Sequence, residues 1–165
     1  FQRVRNSIVL SSFSKDLSLP GERVGYLAVH PQADDKAALL DAMTLATRIL
    51  GFVNAPAFMQ RVVAELQDVS IDTSVYARRR ELFCSLLADI GYQFLAPRGA
   101  FYLFPKTPID DDVRFCALLQ EEKILAVPGR GFGSPGHMRL AFCTDDQVIA
   151  RSATGFKAAF DRARG

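Results

Sequence analysis

No uninterrupted apolar run in this chain approaches the ~20 residues of a membrane-spanning helix, and no stretch reads as a secretory signal. Charge of one sign is also in short supply. Against 20 Lys and Arg stand 18 Asp and Glu, a net of +2, too little to point to nucleic acid or an anionic membrane as partner. Cysteine is sparse as well. Cys84, Cys116 and Cys143 stand singly inside apolar segments. An odd number without close pairs argues for reduced, buried thiols in a cytoplasmic protein, and against disulfides or a zinc site. Internal repeats and low-complexity tracts are absent. What is present is ordinary globular material, 49% hydrophobic and 23% charged in 165 residues. That is enough apolar side chain for a sizeable core in one domain, or in one domain plus part of another.

The most informative stretch runs from Ser12 to Tyr26. It sets Lys15, the hydroxyls of Ser12 and Ser14, and Arg23 close together, with glycines between them that allow tight turns. Apolar runs at 8–10 and 24–29 flank it, and both are expected to be short buried strands. Hydroxyls and a planar guanidinium are donors suited to phosphate oxygens. An amine held at a strand end can condense with an aldehyde. A pyridoxal phosphate site requires this combination. The ordinary alternative is an exposed loop with a solvated lysine and arginine.

The order Ser-x-Ser-Lys, seven residues, then Arg-x-Gly resembles the signature of the class I/II aminotransferases, the aspartate aminotransferase-like enzymes of fold-type I. The resemblance implies an α/β fold of which this chain is the C-terminal part: the end of the large-domain sheet, a long interdomain helix and a small α/β domain. It implies pyridoxal 5'-phosphate as cofactor, condensed with Lys15 and held at its phosphate by Ser12, Ser14 and Arg23. Arg139, which follows a Val127-Pro128-Gly129-x-x-Phe132-Gly133 stretch similar to the family's pattern, is then the clamp for the substrate α-carboxylate. Tyr102, in Gly99-Ala100-Phe101-Tyr102, would enter the substrate cleft. Asn54, in an Asn-x-Pro loop, would approach the cofactor phosphate of a neighbouring subunit. Each has a plainer alternative: an exposed edge strand for Arg139, core packing for Tyr102, a helix N-terminal turn for Asn54.

The activity implied is transfer of an amino group between an amino acid and a 2-oxo acid, in amino acid metabolism or biosynthesis, by a homodimer without metal, nucleic acid or membrane. The Lys15 amine would take the substrate Cα proton and return it to the cofactor, with Arg139 aligning the Cα–H bond. The chain begins at Phe1 and reaches Lys15 after fourteen residues, so on this resemblance most of the large domain lies upstream. There the family keeps the aspartate for the pyridine nitrogen, the aromatic stacked on the ring, and the asparagine or tyrosine at the ring oxygen. On that expectation the chain alone is inactive or nearly so and its sheet has unpaired edges. A lyase or racemase of the same fold remains open, as does a non-catalytic dimerisation or binding module.

Further along, helical spacing predicts helices over 34–50, from about 58 to 69, and over 72–90, the last closed by Gly91. The domain boundary is expected near Asp72, dividing the chain into 1–71 and 72–165. Arg78, Arg79 and Arg80 read as a solvated face. Strands are expected at 92–95, 101–104, 124–127 (buried) and 137–142. A helix over 110–122 would start on three aspartates that suit its N-terminal dipole. A capping box from Thr144 to Gln147 would open one last helix, with Val148, Ile149, Phe156, Ala159 and Phe160 facing inward. His30 reads as a strand-end residue, His137 stands open between a structural and a functional role, Tyr26 and Arg130 are unassigned, and the glycine-rich stretch 129–133 lacks the Lys-Ser/Thr of a P-loop.

Overall fold

In the computed structural model, which describes residues 3–165, the chain divides into two compact units, Phe1–Ile71 and Asp72–Gly165. The first is built on a β-ribbon. Strand β1 (Ile8–Ser12) runs into a single helical turn, α1 (Phe13–Asp16), and a 3-10 turn at Pro20–Glu22 leads to β2 (Gly25–Val29). The strands pair antiparallel, Ile8 opposite Val29 and Ser12 opposite Gly25. Gly25 is required there, because a Cβ would lie 2.6 Å from the Ser11 carbonyl oxygen. Helices α2 (Lys36–Ile49) and α3 (Ala57–Glu65) follow.

The expectation that both strands are buried fails. Leu10 is 76% exposed and Tyr26 49%. A two-stranded ribbon needs another layer to bury either face, and neither α2 nor α3 packs extensively on it. Among the described residues Val24 and Val63 are the buried apolar side chains of this unit, and α2 has none. Helix α3 also ends at Glu65, so Val69 is not part of its face, and Phe58 projects outward.

The second unit has a full core. Helix α4 (Thr73–Ile90) is capped by Asp72, whose carboxylate accepts from Ser74 N at 2.9 Å, and it ends at Gly91. Then come β3 (Tyr102–Leu103), α5 (Asp112–Glu121), β4 (Val127–Pro128), a 3-10 turn at Gly129–Phe132, β5 (Met138–Ala141), α6 (Asp146–Arg151) and α7 (Ala153–Arg164). The sheet order is β3-β5-β4, antiparallel throughout. Strand periodicity sorts its faces. Leu103, Met138 and Leu140 are buried and join one cluster with Leu87, Phe115 and Phe156 from the helices. Tyr102, Val127 and Arg139 occupy the other face, Val127 directly opposite Arg139.

Several expectations are corrected here. Residues 92–95 form no strand: the Tyr92 ring turns into the core, its hydroxyl donating to the Phe156 carbonyl at 3.1 Å, while Leu95 is exposed. The strand expected at 124–127 shortens to Val127–Pro128, with Leu125 outward. Asp145, not Thr144, caps α6, accepting from Gln147 N at 2.8 Å. A helix that starts one residue later puts Gln147 where a capping box cannot form. The last helix breaks at Ser152, and Val148 faces solvent while Ile149, Phe156, Ala159 and Phe160 are buried. The arginine run is not simply solvated, because Arg78 and Arg79 both donate to Asp146, at 2.8 and 2.9 Å, clipping α4 to α6. Of the thiols only Cys116 is buried; Cys143 is exposed and Cys84 half-buried. Among the described residues no helix is long and apolar enough to cross a membrane.

Candidate active-site residues

In the first unit the candidates gather where β1 becomes α1. Ser12 ends the strand with extended backbone and caps the turn, its Oγ accepting from Ser14 N at 3.2 Å. The same hydroxyl donates to Ser14 Oγ at 2.8 Å, and Ser14 is buried while Lys15, one residue on, is exposed. Arg23 arrives by the ribbon's register. Ser12 faces Gly25, and Phe13 N–H donates to the Val24 carbonyl at 3.1 Å, which brings the residue before Val24 to the same end as Lys15. Arg23 is held in the left-handed region (φ +55°), closing the 3-10 turn, and its Nη1 donates to the Pro20 carbonyl at 2.8 Å. Its other N–H groups make no hydrogen bond among the described residues.

This set fits a phosphorylated aldehyde. The Ser14 hydroxyl, the Ser12 hydroxyl once turned away from Ser14, and the remaining guanidinium N–H groups can donate to phosphate oxygens, and a primary amine on the same turn can condense with an aldehyde. Asn54 stands apart from them, exposed in the loop between α2 and α3, after Val53 at φ +52°.

In the second unit Tyr102 and Arg139 come together on the open face of the sheet. The Arg139 guanidinium carbon lies over the Tyr102 ring at 4.8 Å and over the Phe132 ring at 4.5 Å. Both distances are within cation–π range. Among the described residues Arg139 forms no ion pair, and its guanidinium lies against two aromatic faces. Its planar edge keeps its donors.

Two further residues, Phe132 and Asp112, have no role in the sequence reading. Phe132 is visible only as part of a pattern. Asp112 is one of three consecutive aspartates, and nothing local separates it from the other two. It is fully buried and accepts from Arg130 through both backbone N–H and Nε, each at 2.8 Å. The Arg130 guanidinium beside it holds its carboxyl below the usual carboxylate range.

The two units, a β-ribbon with a lysine turn and an α/β unit with an arginine on one sheet face, match part of solved aminotransferase chains. The solved amino transferase of Eubacterium rectale superposes with a TM-score of 0.85 at 39% identity over 98% of this chain. The aspartate aminotransferase structure of Thermotoga maritima does so at 0.76 and 29% over 96%. The sequence pattern of the family described as aminotransferase class I and II matches residues 2–155, and the chain belongs to that family. By sequence it is 34% identical to the Thermotoga maritima aspartate aminotransferase over 88% of its own length. It spans 37% of that enzyme, and 40% of each of the two solved chains.

Proposed function

We propose that this chain supplies the cofactor lysine, the phosphate contacts and the carboxylate-binding arginine of a pyridoxal phosphate-dependent aminotransferase acting between an amino acid and a 2-oxo acid. The observation that carries the reading is the antiparallel register that returns Arg23 to the Ser12–Lys15 turn, in a chain of this family. Ser12, Ser14 and Arg23 hold the phosphate, which fixes the cofactor relative to Lys15. Bound pyridoxal phosphate supplies the electron sink for Cα chemistry. The Lys15 Nζ moves the proton at the substrate Cα. Arg139, flanked by Tyr102 and Phe132, presents its fork to the substrate carboxylate and so limits rotation about the Cα. Asn54 extends the phosphate contacts of a second copy in a homodimer. The division at residue 72 is the boundary between large and small domains, and the enzyme works in the cytoplasm on small molecules alone.

A lyase or racemase of the same fold would use the same residues; the relatives' aminotransferase names favour transamination. The test adds pyridoxal phosphate to the chain, records the absorbance, reduces with borohydride and maps the labelled peptide. Label confined to Lys15, abolished in Lys15→Ala and weakened in Arg23→Gln, is expected. Label scattered over surface lysines, or its persistence in Lys15→Ala, refutes the assignment. An assay of the full-length enzyme with paired amino and oxo acids then separates transamination from lyase or racemase chemistry.

A further inference from the structure

Three places outside the roles above are candidates: the open groove between α4 and α7, the exposed apolar residues of the first unit, and the buried Asp112–Arg130 pair. Nothing shows what covers the first two. The third connects, bond by bond, to Arg139.

Asp112 is the first residue of α5 and has no exposed surface. A carboxylate is held there only if its oxygens are bonded and its charge is met. Arg130 does both. Its Nε and Nη2 lie 2.8 and 2.7 Å from one Asp112 oxygen, and its backbone N–H donates to the other at 2.8 Å. The guanidinium also reaches Asp111 at 3.2 Å. The backbone bond matters most, because a pair between side-chain tips tolerates slack whereas a bonded main-chain N–H fixes the turn itself.

The Gly129–Phe132 turn is fastened at its start as well. Gly129 N–H donates to the His137 carbonyl at 2.8 Å, and a Cβ on Gly129 would lie 2.3 Å from the Ser134 oxygen. Two residues past Arg130 is Phe132. Its ring is 47% exposed, so burial does little to hold it, yet it lies under the Arg139 guanidinium with the Phe104 ring edge-on at 6.1 Å. A ring on a loose turn would not keep that place.

We propose that Asp112 is a positioning residue for Arg139: through Arg130 and the Gly129–Phe132 turn it holds the Phe132 ring against the guanidinium, fixing the plane in which Arg139 meets a carboxylate. This rests on the carboxylate role of Arg139 proposed above. It differs from a purely structural pair in one consequence. Breaking the pair changes carboxylate recognition in a protein that is still folded.

The test uses the full chain labelled with nitrogen-15 and follows the Arg139 Nε–H signal, identified by its loss in Arg139→Lys. In the unsubstituted chain ring currents from Tyr102 and Phe132 displace this signal, and succinate is titrated against it. Asp112→Asn and Arg130→Gln are each expected to move the signal toward the ordinary arginine position. Succinate affinity should fall about tenfold, ~1.4 kcal/mol, with the amide signals of the core retained. Phe132→Leu should produce the same loss without touching the pair. A folded Asp112→Asn or Arg130→Gln that keeps both signal position and affinity overturns the proposal, as does an unchanged affinity in Phe132→Leu. Should Asp112→Asn fail to fold, Arg130→Gln decides alone, since that side chain is half exposed. If the unsubstituted chain ignores succinate, the carboxylate role of Arg139 falls, and the ring displacement in the variants still decides the positioning.

Discussion

Phe156 stands near the centre of the second unit, 1% exposed, tilted against Phe83 at 5.6 Å and edge-on to Tyr92 at 5.9 Å. Phe156→Ala removes a buried ring that the surrounding helices cannot close over, at a cost of about 3–5 kcal/mol. The loss should fall toward the upper end, because two aromatic pairs worth roughly 0.5–1.5 kcal/mol each go with it. Against a total stability of about 5–15 kcal/mol this is a large fraction. At about 4–8 °C per kcal/mol for a domain of this size, the melting temperature of the second unit should drop by roughly 16–40 °C. Phe58→Ala in α3 is the control. Phe58 is 75% exposed, and its loss should stay within about 0.5 kcal/mol. Urea and thermal melts of the full chain, read by circular dichroism and by near-ultraviolet aromatic signals, compare the two. If Phe58→Ala costs as much as Phe156→Ala, or Phe156→Ala costs less than ~1 kcal/mol, the assignment of the core to the second unit is wrong.

The other perturbations test the ribbon, the thiols and the ion pairs. Gly25→Ala drives a Cβ into the Ser11 carbonyl, 2.6 Å away; a clash with backbone should cost about 1–3 kcal/mol and abolish borohydride labelling of Lys15 while leaving the second unit's melt intact. Iodoacetamide with peptide mapping should modify exposed Cys143 first and spare Cys116, whose thiol burial pushes up to about 11, until the chain unfolds. Asp112 and Asp146 are held below their ordinary carboxyl value of 3.8 by hydrogen bonds and charge from Arg130 and from Arg78 and Arg79. A depressed folded value means the unfolded chain binds the proton first as pH falls. The stability these pairs contribute is therefore complete above about pH 4 and is lost below it, toward their lower folded values. Acid melts should show this slope, and Asp146→Asn should flatten it.

Periodicity and caps are local properties of a helix, and for α4 and α7 they are legible in the sequence. Asp72 and Gly91 bracket α4 as the residue types suggest, and the inward stripe of α7 is where helical spacing puts it. Burial of strands was not legible. Leu10 and Leu125 sit in apolar runs that read as buried, yet both are solvent-facing, because a strand is buried by the layer above it and not by its own composition. Asp145 and not Thr144 caps α6, whose first residue, Asp146, pairs with Arg78 and Arg79 of α4.

The sequence by itself determined which side chains are on offer: Lys15 with Ser12, Ser14 and Arg23 close by in the chain, Arg139 in an apolar strand, and a match to the family over residues 2–155. These are matters of side-chain identity and short spacing, which folding does not alter. Only the tertiary structure decided which charges are met and by what. The β1–β2 register returned Arg23 to the Ser12–Lys15 turn. The tertiary fold placed Tyr102 of β3 and Phe132 of the 3-10 turn, thirty residues apart in the chain, against one guanidinium. It also singled out Asp112 from its two neighbours by burying it on Arg130. Contacts between distant segments depend on how elements pack, and side chains of the same type diverge in role once one is desolvated and the next is left in water.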